Sequence, residues 1–241
     1  MLNLKHRDIS QRNKPEGSDS LKDPVFEGVA TAIVTPFNQG TIDFPVMNRL
    51  LDLQLAAGVD AIVVCGTTGE AATLSYNERM ALIERCVRTV DRRVPVIAGS
   101  GTNSTASSIA LSKAAQSAGV DALLTVTPYY NKASQSGLVQ HFSAIADAVD
   151  IPVILYNVPS RTGVNIQPAT LEKICRLPQV VAVKEANPDV AQAMEKINLV
   201  GDDATFYCGN DDLTIPLMVL GFQGVISVLS NVMPAETSKM T

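Results

Sequence analysis

The residues best equipped for chemistry are a lysine, three tyrosines, a threonine pair and an arginine. Lys184 closes the run Val180-Val181-Ala182-Val183. Small and β-branched apolar residues without polar alternation favour a strand buried on both faces. An ammonium at the end of such a strand loses hydration, and giving up its proton is the less costly state. The neutral amine is a nucleophile that forms a Schiff base with a carbonyl. Taken alone, the stretch more often ends in a lysine that points into solvent, where most lysines lie. Of nine lysines, however, Lys184 alone directly closes an apolar strand run.

Tyr129, Tyr130 and Tyr156 are three of five tyrosines, and all stand where apolar runs end. Phenols transfer protons, and they chain with threonine hydroxyls to reach bulk water. Gly66-Thr67-Thr68-Gly69 offers backbone N–H groups and two hydroxyls to a small anion such as a carboxylate. By itself that pattern is weak, because Gly and Thr are common in loops. Arg161, within Tyr156-Asn157-Val158-Pro159-Ser160-Arg161-Thr162-Gly163, is a fixed-charge fork suited to a second carboxylate. Asp211-Asp212 reads as a helix N-cap before it reads as a cation site. No Asp, Glu and His cluster has metal-ligand spacing, and the only histidines are His6 and His141. Zinc and Ser-His-Asp chemistry are therefore poorly supplied, and no metal or cofactor is expected.

These residues must be positioned by a repeated element. Apolar, β-rich runs recur at Val29–Val34, Ala61–Cys65, Val94–Ala98, Ala122–Val126, Pro152–Tyr156, Val180–Lys184, Thr205–Cys208 and Gly224–Val228. Helical segments lie between them. Asp43 with Pro45 opens one. Ser75 with Glu78 forms a capping box. Asn103-Ser104 opens a third, which Gly119 stops, and Leu171, Ile174 and Cys175 mark one face of a fourth after Pro168. Ala57-Gly58-Val59-Asp60-Ala61 is echoed by Ala118-Gly119-Val120-Asp121-Ala122 and, more weakly, by Leu220-Gly221-Phe222-Gln223-Gly224. Each reads as a helix stop, a glycine turn and a strand start, repeated as a barrel requires. Eight βα units in about 200 residues predict an α/β fold, a (β/α)8 TIM barrel over residues 25–241. The alternative is an open doubly wound sheet. It would want a Gly-rich loop after the first strand, where Thr35-Pro36-Phe37 stands instead. In a barrel the site lies at the C-terminal ends of the strands, which is where the residues above fall.

The 241 residues carry 46% hydrophobic and 18% charged side chains, ordinary for a globular chain, and one barrel or two smaller domains would fit. A net charge of −5 with no basic run beyond Arg92-Arg93 argues against a nucleic-acid partner. No apolar stretch is long enough to span a bilayer. Cys65, Cys86, Cys175 and Cys208 are scattered and read as free thiols of a cytoplasmic protein. Residues 1–24, polar and without periodicity, read as a disordered N-terminal extension. The chain stops soon after the eighth strand, so the barrel is expected to be incomplete, its C-terminal helical region truncated.

Gly66-Thr67-Thr68-Gly69-Glu70, Tyr129-Tyr130-Asn131-Lys132, Tyr156–Gly163 and Val183-Lys184-Glu185-Ala186 together resemble the dihydrodipicolinate synthase family. That family belongs to the Schiff-base class I aldolases, with N-acetylneuraminate lyase. The similarity runs in register from about Phe26 to Val232. The resemblance implies condensation of pyruvate with L-aspartate 4-semialdehyde to 4-hydroxy-tetrahydrodipicolinate, in lysine and diaminopimelate biosynthesis. It implies that Lys184 carries the imine and that Tyr156, Thr67 and Tyr130 relay protons, with Tyr130 supplied across a tight dimer. Thr68 would hold the pyruvate carboxylate and Arg161 the semialdehyde carboxylate, while Gly209 and Ile226 lend backbone groups near Lys184. The implied assembly is a homo-oligomer, a dimer of tight dimers. The family's lysine feedback site is matched at Asn103 and Tyr129. Ser107 replaces its glutamate, and Tyr76 and Arg79 replace frequent histidines, so feedback is expected to be weak or absent. The competing readings are a 2-keto-3-deoxy sugar acid or N-acetylneuraminate lyase, and a non-catalytic barrel used for metabolite binding or as a scaffold.

Overall fold

The computed structural model describes residues 22–241, so most of the expected N-terminal extension lies outside the described residues. Eight strands are numbered here around the barrel. They are β1 (Gly28–Ala32), β2 (Ala61–Val64), β3 (Val96–Gly99), β4 (Ala122–Val126), β5 (Val153–Asn157), β6 (Val180–Glu185), β7 (Thr205–Cys208) and β8 (Gly224–Ser227). All pair in parallel in sequence order, and β8 closes onto β1 with Gly28 opposite Gly224. The closed ring is the expected (β/α)8 barrel and excludes the open sheet. A short antiparallel ribbon, Phe37–Asn38 with Thr41–Ile42, follows β1.

The helices form where their ends are satisfied. They are α1 (Phe44–Ala56), α2 (Tyr76–Val90), α3 (Thr105–Ser117), α4 (Gln135–Ala146), α5 (Pro168–Cys175), α6 (Val190–Val200), α7 (Thr214–Val219) and α8 (Pro234–Ser238). Asp43 caps α1 by accepting from Val46 N at 2.9 Å. Ser75 and Glu78 close the reciprocal box on α2. Ser104, Ser134 and Asp189 cap α3, α4 and α6. The face predicted for α5 is correct: Leu171, Ile174 and Cys175 are all fully buried.

The sequence echo has a structural role. Gly58 and Gly119 take φ of +81° and +88°, a left-handed turn that ends each helix at little cost. The aspartate that follows bonds back to the preceding strand: Asp60 Oδ2 accepts from Val29 N at 2.7 Å, and Asp121 Oδ2 from Val96 N at 2.8 Å. These side chains pair strand-start N–H groups at the bottom of the barrel, which would otherwise be unsatisfied.

Strand side chains alternate between helices and barrel interior. The interior mixes alanines, among them Ala30, Ala32, Ala61, Ala122 and Ala182, with larger aliphatic residues such as Val63, Ile97, Leu124 and Ile154. Phe26 plugs its floor, stacked on Tyr207 at 4.1 Å between centroids. Tyr207 Oη donates to Phe26 O at 2.7 Å, so the buried phenol is satisfied. The alanines on β1, β2, β4 and β6 leave room for the long side chains Tyr156, Lys184 and Tyr207 of β5, β6 and β7.

Gly28 holds φ at +96°, and a Cβ there would sit 2.2 Å from Asp60 Oδ2. Gly28→Ala would strain the backbone and displace the Asp60 clamp. We expect a loss of about 2 kcal/mol or more, read as a lowered denaturation midpoint. An unchanged midpoint would contradict this account of the barrel floor.

Candidate active site

Lys184 is the penultimate residue of β6 and faces inward with Ala182 and Ala186. It is 5% exposed. Its neighbour in register on β5 is Tyr156, and on β7 Tyr207. Lys184 Nζ lies 4.3 Å from the centroid of the Tyr156 ring. The two residues expected to do the chemistry are therefore cross-strand partners, placed by backbone register rather than by loop conformation.

Burial lowers the Lys184 pKa from 10.5 to about 8. The Asp211 carboxylate opposes that shift, and the Arg161 guanidinium adds to it. At pH 7 a pKa near 8 leaves about one amine in ten neutral, against roughly one in three thousand for an ordinary lysine. Burial likewise raises the Tyr156 pKa, while a hydrogen bond from Thr67 and the charge of Arg161 pull it back. Tyr156 is thus a protonated phenol at neutral pH, with a hydroxyl partner to pass its proton to.

A cleft of about 800 Å³ opens at the C-terminal ends of the strands, lined by Lys184, Tyr156, Thr67, Thr68, Arg161 and Gly209 among others. Six of the eight predicted site residues thus meet in one place. Arg161 is carried by a one-turn helix, Pro159–Thr162, that Pro159 starts and Gly163 ends at φ +72°. A second cavity of about 260 Å³ shares Thr67, Tyr156 and Arg161 as its wall and reaches Tyr129 and Arg79. At Gly209 a Cβ would lie 3.1 Å from Lys184 Cε and 2.7 Å from Ala186 Cβ, so a side chain there would crowd the lysine stem.

Two predicted residues lie apart. Tyr130 is 90% exposed, on a backbone at φ +74°, and does not line the cleft that holds Lys184. Ile226 is fully buried in the barrel interior below the cleft, and Val228 is the β8-side residue that lines it. The Asp211-Asp212 pair behaves differently from the expectation of a helix N-cap. Asp211 Oδ2 instead accepts from Val228 N at 3.0 Å and Leu229 N at 2.9 Å, fixing the segment after β8 against the loop after β7. The tertiary bonds outcompete the local one. No group of three His, Cys, Asp or Glu side chains that could hold a metal occurs among the described residues.

A set of buried polar residues behind the site escaped the sequence reading. Lys196 Nζ bonds Glu185 Oε2 at 2.7 Å with both side chains 1% exposed. Asn157 Nδ2 donates to Glu185 Oε1 at 2.8 Å. The available signal was Lys196 itself, on the same face of α6 as buried Ala193 and Val200.

Two outcomes test this site. Gly209→Ala should slow reaction of Lys184 with a small keto acid about 100-fold, with the fold intact by circular dichroism; an unchanged rate contradicts the crowding argument. The Lys184 shift also fixes a sign for stability. The unfolded chain binds the lysine proton more tightly than the folded one, so the penalty is full below pH 8 and relieved between about 8 and 10.5. Lys184→Met should therefore raise stability at pH 7 by up to about 3 kcal/mol, with the gain shrinking toward pH 10.5. A variant equally or less stable at pH 7 would contradict it.

Residues 25–241 match the model of the dihydrodipicolinate synthetase family. The 4-hydroxy-tetrahydrodipicolinate synthase of Geobacter metallireducens is 52% identical over 217 residues, which is 90% of this chain and 75% of the relative. That of Acetivibrio thermocellus is 46% identical, over 91% of this chain and 75% of the relative. Among solved structures, the dihydrodipicolinate synthase of Thermotoga maritima superposes with a TM-score of 0.88 at 45% identity, covering 90% of this chain and 75% of that one. The Acinetobacter baumannii enzyme, solved in complex with pyruvate, gives 0.87 at 40% identity, covering 90% and 74%. This chain thus spans about three quarters of the length of these relatives, and it belongs to the dihydrodipicolinate synthetase family.

Proposed function

We propose that this chain condenses pyruvate with L-aspartate 4-semialdehyde to 4-hydroxy-tetrahydrodipicolinate through an imine on Lys184. The observation that carries the reading is the buried Lys184 amine, its pKa drawn to about 8, held 4.3 Å over the Tyr156 ring in an open cleft. The neutral amine adds to the pyruvate carbonyl carbon, and water leaves as the imine forms. Tyr156 supplies the proton that the departing hydroxyl needs and later accepts one. The protonated imine acidifies the pyruvate methyl group, and loss of a methyl proton gives an enamine. The enamine carbon attacks the aldehyde carbon of the semialdehyde, forming the new C–C bond. The semialdehyde's own amine then displaces Lys184 from the pyruvate-derived carbon, closing the ring and freeing the enzyme.

The family resemblance assigns roles to the remaining residues, and the places of several of them support it. Thr68, with the N–H groups of the Gly66–Gly69 loop, faces the cleft where the pyruvate carboxylate must lie once C2 is bonded to Lys184. Arg161, exposed on its helix at the cleft wall, is free to take the semialdehyde carboxylate as a bidentate fork. Gly209, on the cleft wall, lends a backbone group near the lysine, and the family resemblance assigns the same to Ile226, which lies below the cleft. Thr67 joins Tyr156 to Tyr130, and Tyr130 acts across a tight dimer. A ring that is 90% exposed on its own chain is what such an exchange needs, and the family resemblance extends the assembly to a homo-oligomer, a dimer of tight dimers. The four cysteines are free and buried, in keeping with a cytoplasmic enzyme. Lysine feedback is weak or absent: Arg79 sets a cation on the cavity that Tyr129 lines, and uncharged Ser107 stands where the resemblance places the family's glutamate.

Borohydride reduction with pyruvate, followed by peptide mapping, should place a pyruvate adduct on Lys184. An adduct elsewhere overturns the mechanism, and none at all favours a non-catalytic barrel. Turnover of aspartate semialdehyde rather than sugar acids should then separate synthase from lyase. Arg161→Ala should lower semialdehyde turnover about 100-fold while sparing the pyruvate adduct. Equal loss of both would make Arg161 a structural residue, and inhibition by micromolar lysine would refute the feedback assignment.

A further inference from the structure

Lys184 and Tyr156 are each followed in their strands by a polar residue. Because strand side chains alternate, Glu185 and Asn157 point out of the barrel, directly behind the inward pair. They are themselves in register, and both are fully buried beneath the helices. Asn157 Nδ2 donates to Glu185 Oε1 at 2.8 Å, a side-chain tie between β5 and β6 at the level of the site. The second Glu185 oxygen takes the Lys196 ammonium from α6 at 2.7 Å, and Asn187 N adds a bond to Oε1 at 2.8 Å.

Asn157 also clasps the loop that carries Arg161. Its Nδ2 donates to Asn165 Oδ1 at 2.9 Å, and its Oδ1 accepts from Ile166 N at 3.0 Å. The chain leaves β5 at Asn157, runs through the Pro159–Thr162 helix, and returns to be held by the Asn157 side chain. Lys196 Nζ reaches Asn165 Oδ1 as well, at 3.4 Å. One connected polar network therefore ties together the backbone segments that bear Lys184, Tyr156 and Arg161.

Stability does not account for such a network. Taking two charges out of water costs more than an apolar pair of equal volume, and replacing such pairs with hydrophobic residues is often neutral or stabilising. What directional, fully satisfied bonds supply, and apolar packing does not, is a single relative geometry. We infer that Asn157, Glu185, Lys196 and Asn165 act as a positioning latch that sets Lys184 against Tyr156 and holds the Arg161 loop. This rests on the imine reading, since without an imine on Lys184 the latch has nothing to align.

Asn157→Asp tests the latch with an isosteric change. The new carboxylate keeps its acceptor for Ile166 N but loses both donated bonds and faces Glu185. In the full chain, borohydride-trapped adduct formation at saturating pyruvate should slow about 10- to 100-fold, with half-saturating pyruvate shifted less than about threefold. Condensation should fall further, because the Arg161 loop is loosened too. Circular dichroism and gel filtration should match the parent. A folded variant that traps pyruvate at the parent rate overturns the latch. If Asn157→Asp does not fold, the paired change Glu185→Gln with Lys196→Met removes both charges together and is judged the same way. If neither folds, the network is part of the barrel's scaffolding and the latch is equally overturned. A parent chain that forms no adduct would instead overturn the imine reading itself.

Discussion

The structure depends on keeping the amine of Lys184 out of water. Six consecutive buried residues of β6 carry it into the top of the barrel, where burial draws its pKa to about 8. Other features make that position tolerable and useful. Its neighbours on its own inward face, Ala182 and Ala186, are small. The absence of a side chain at Gly209 keeps its flank clear. The Asp211 carboxylate, pinned by two backbone N–H groups, opposes the downward shift that burial imposes on the amine. A nucleophile that must be neutral to attack and protonated as an imine to activate carbon needs this intermediate poise.

Two layers of polar structure stand around that amine, and they work differently. The inner layer of Tyr156, Thr67, Thr68 and Arg161 faces the cleft and is partly wet, so its bonds are free to change as substrate arrives. The outer layer of Asn157, Glu185 and Lys196 is buried, with half-buried Asn165 at its edge, and its bonds are made within the chain. The register of β5 with β6 links the layers residue for residue: Tyr156 pairs Lys184, and Asn157 pairs Glu185. Precision in the inner layer is then a consequence of rigidity in the outer one.

The parts of this architecture that were legible in the sequence are those written in local patterns. Apolar runs marked all eight strands, and the Asp43, Ser75 and Ser104 caps marked helix starts, because capping is decided within four residues. Lys184 stood out because a lysine contradicts its own strand. What was not legible arises from contacts distant in sequence. Asp211 looked like a helix cap and proved to bond Val228 and Leu229, which only barrel closure brings near. Lys196 looked like any helical lysine, because its partner Glu185 lies on a strand whose outward face is not evident from an apolar run. Tyr130 stood beside Tyr129 in sequence, yet one lines a cavity and the other projects into solvent, a divergence set by the left-handed backbone at Tyr130.

Burial poises Lys184 before any substrate binds. Direct titration of its ε-methylene and amine signals by heteronuclear NMR, with Lys184→Met for assignment, measures this in the free protein. A midpoint near pH 8 is expected. A midpoint near the ordinary lysine value of about 10.4 would contradict it and place the activation of the amine in the substrate complex instead.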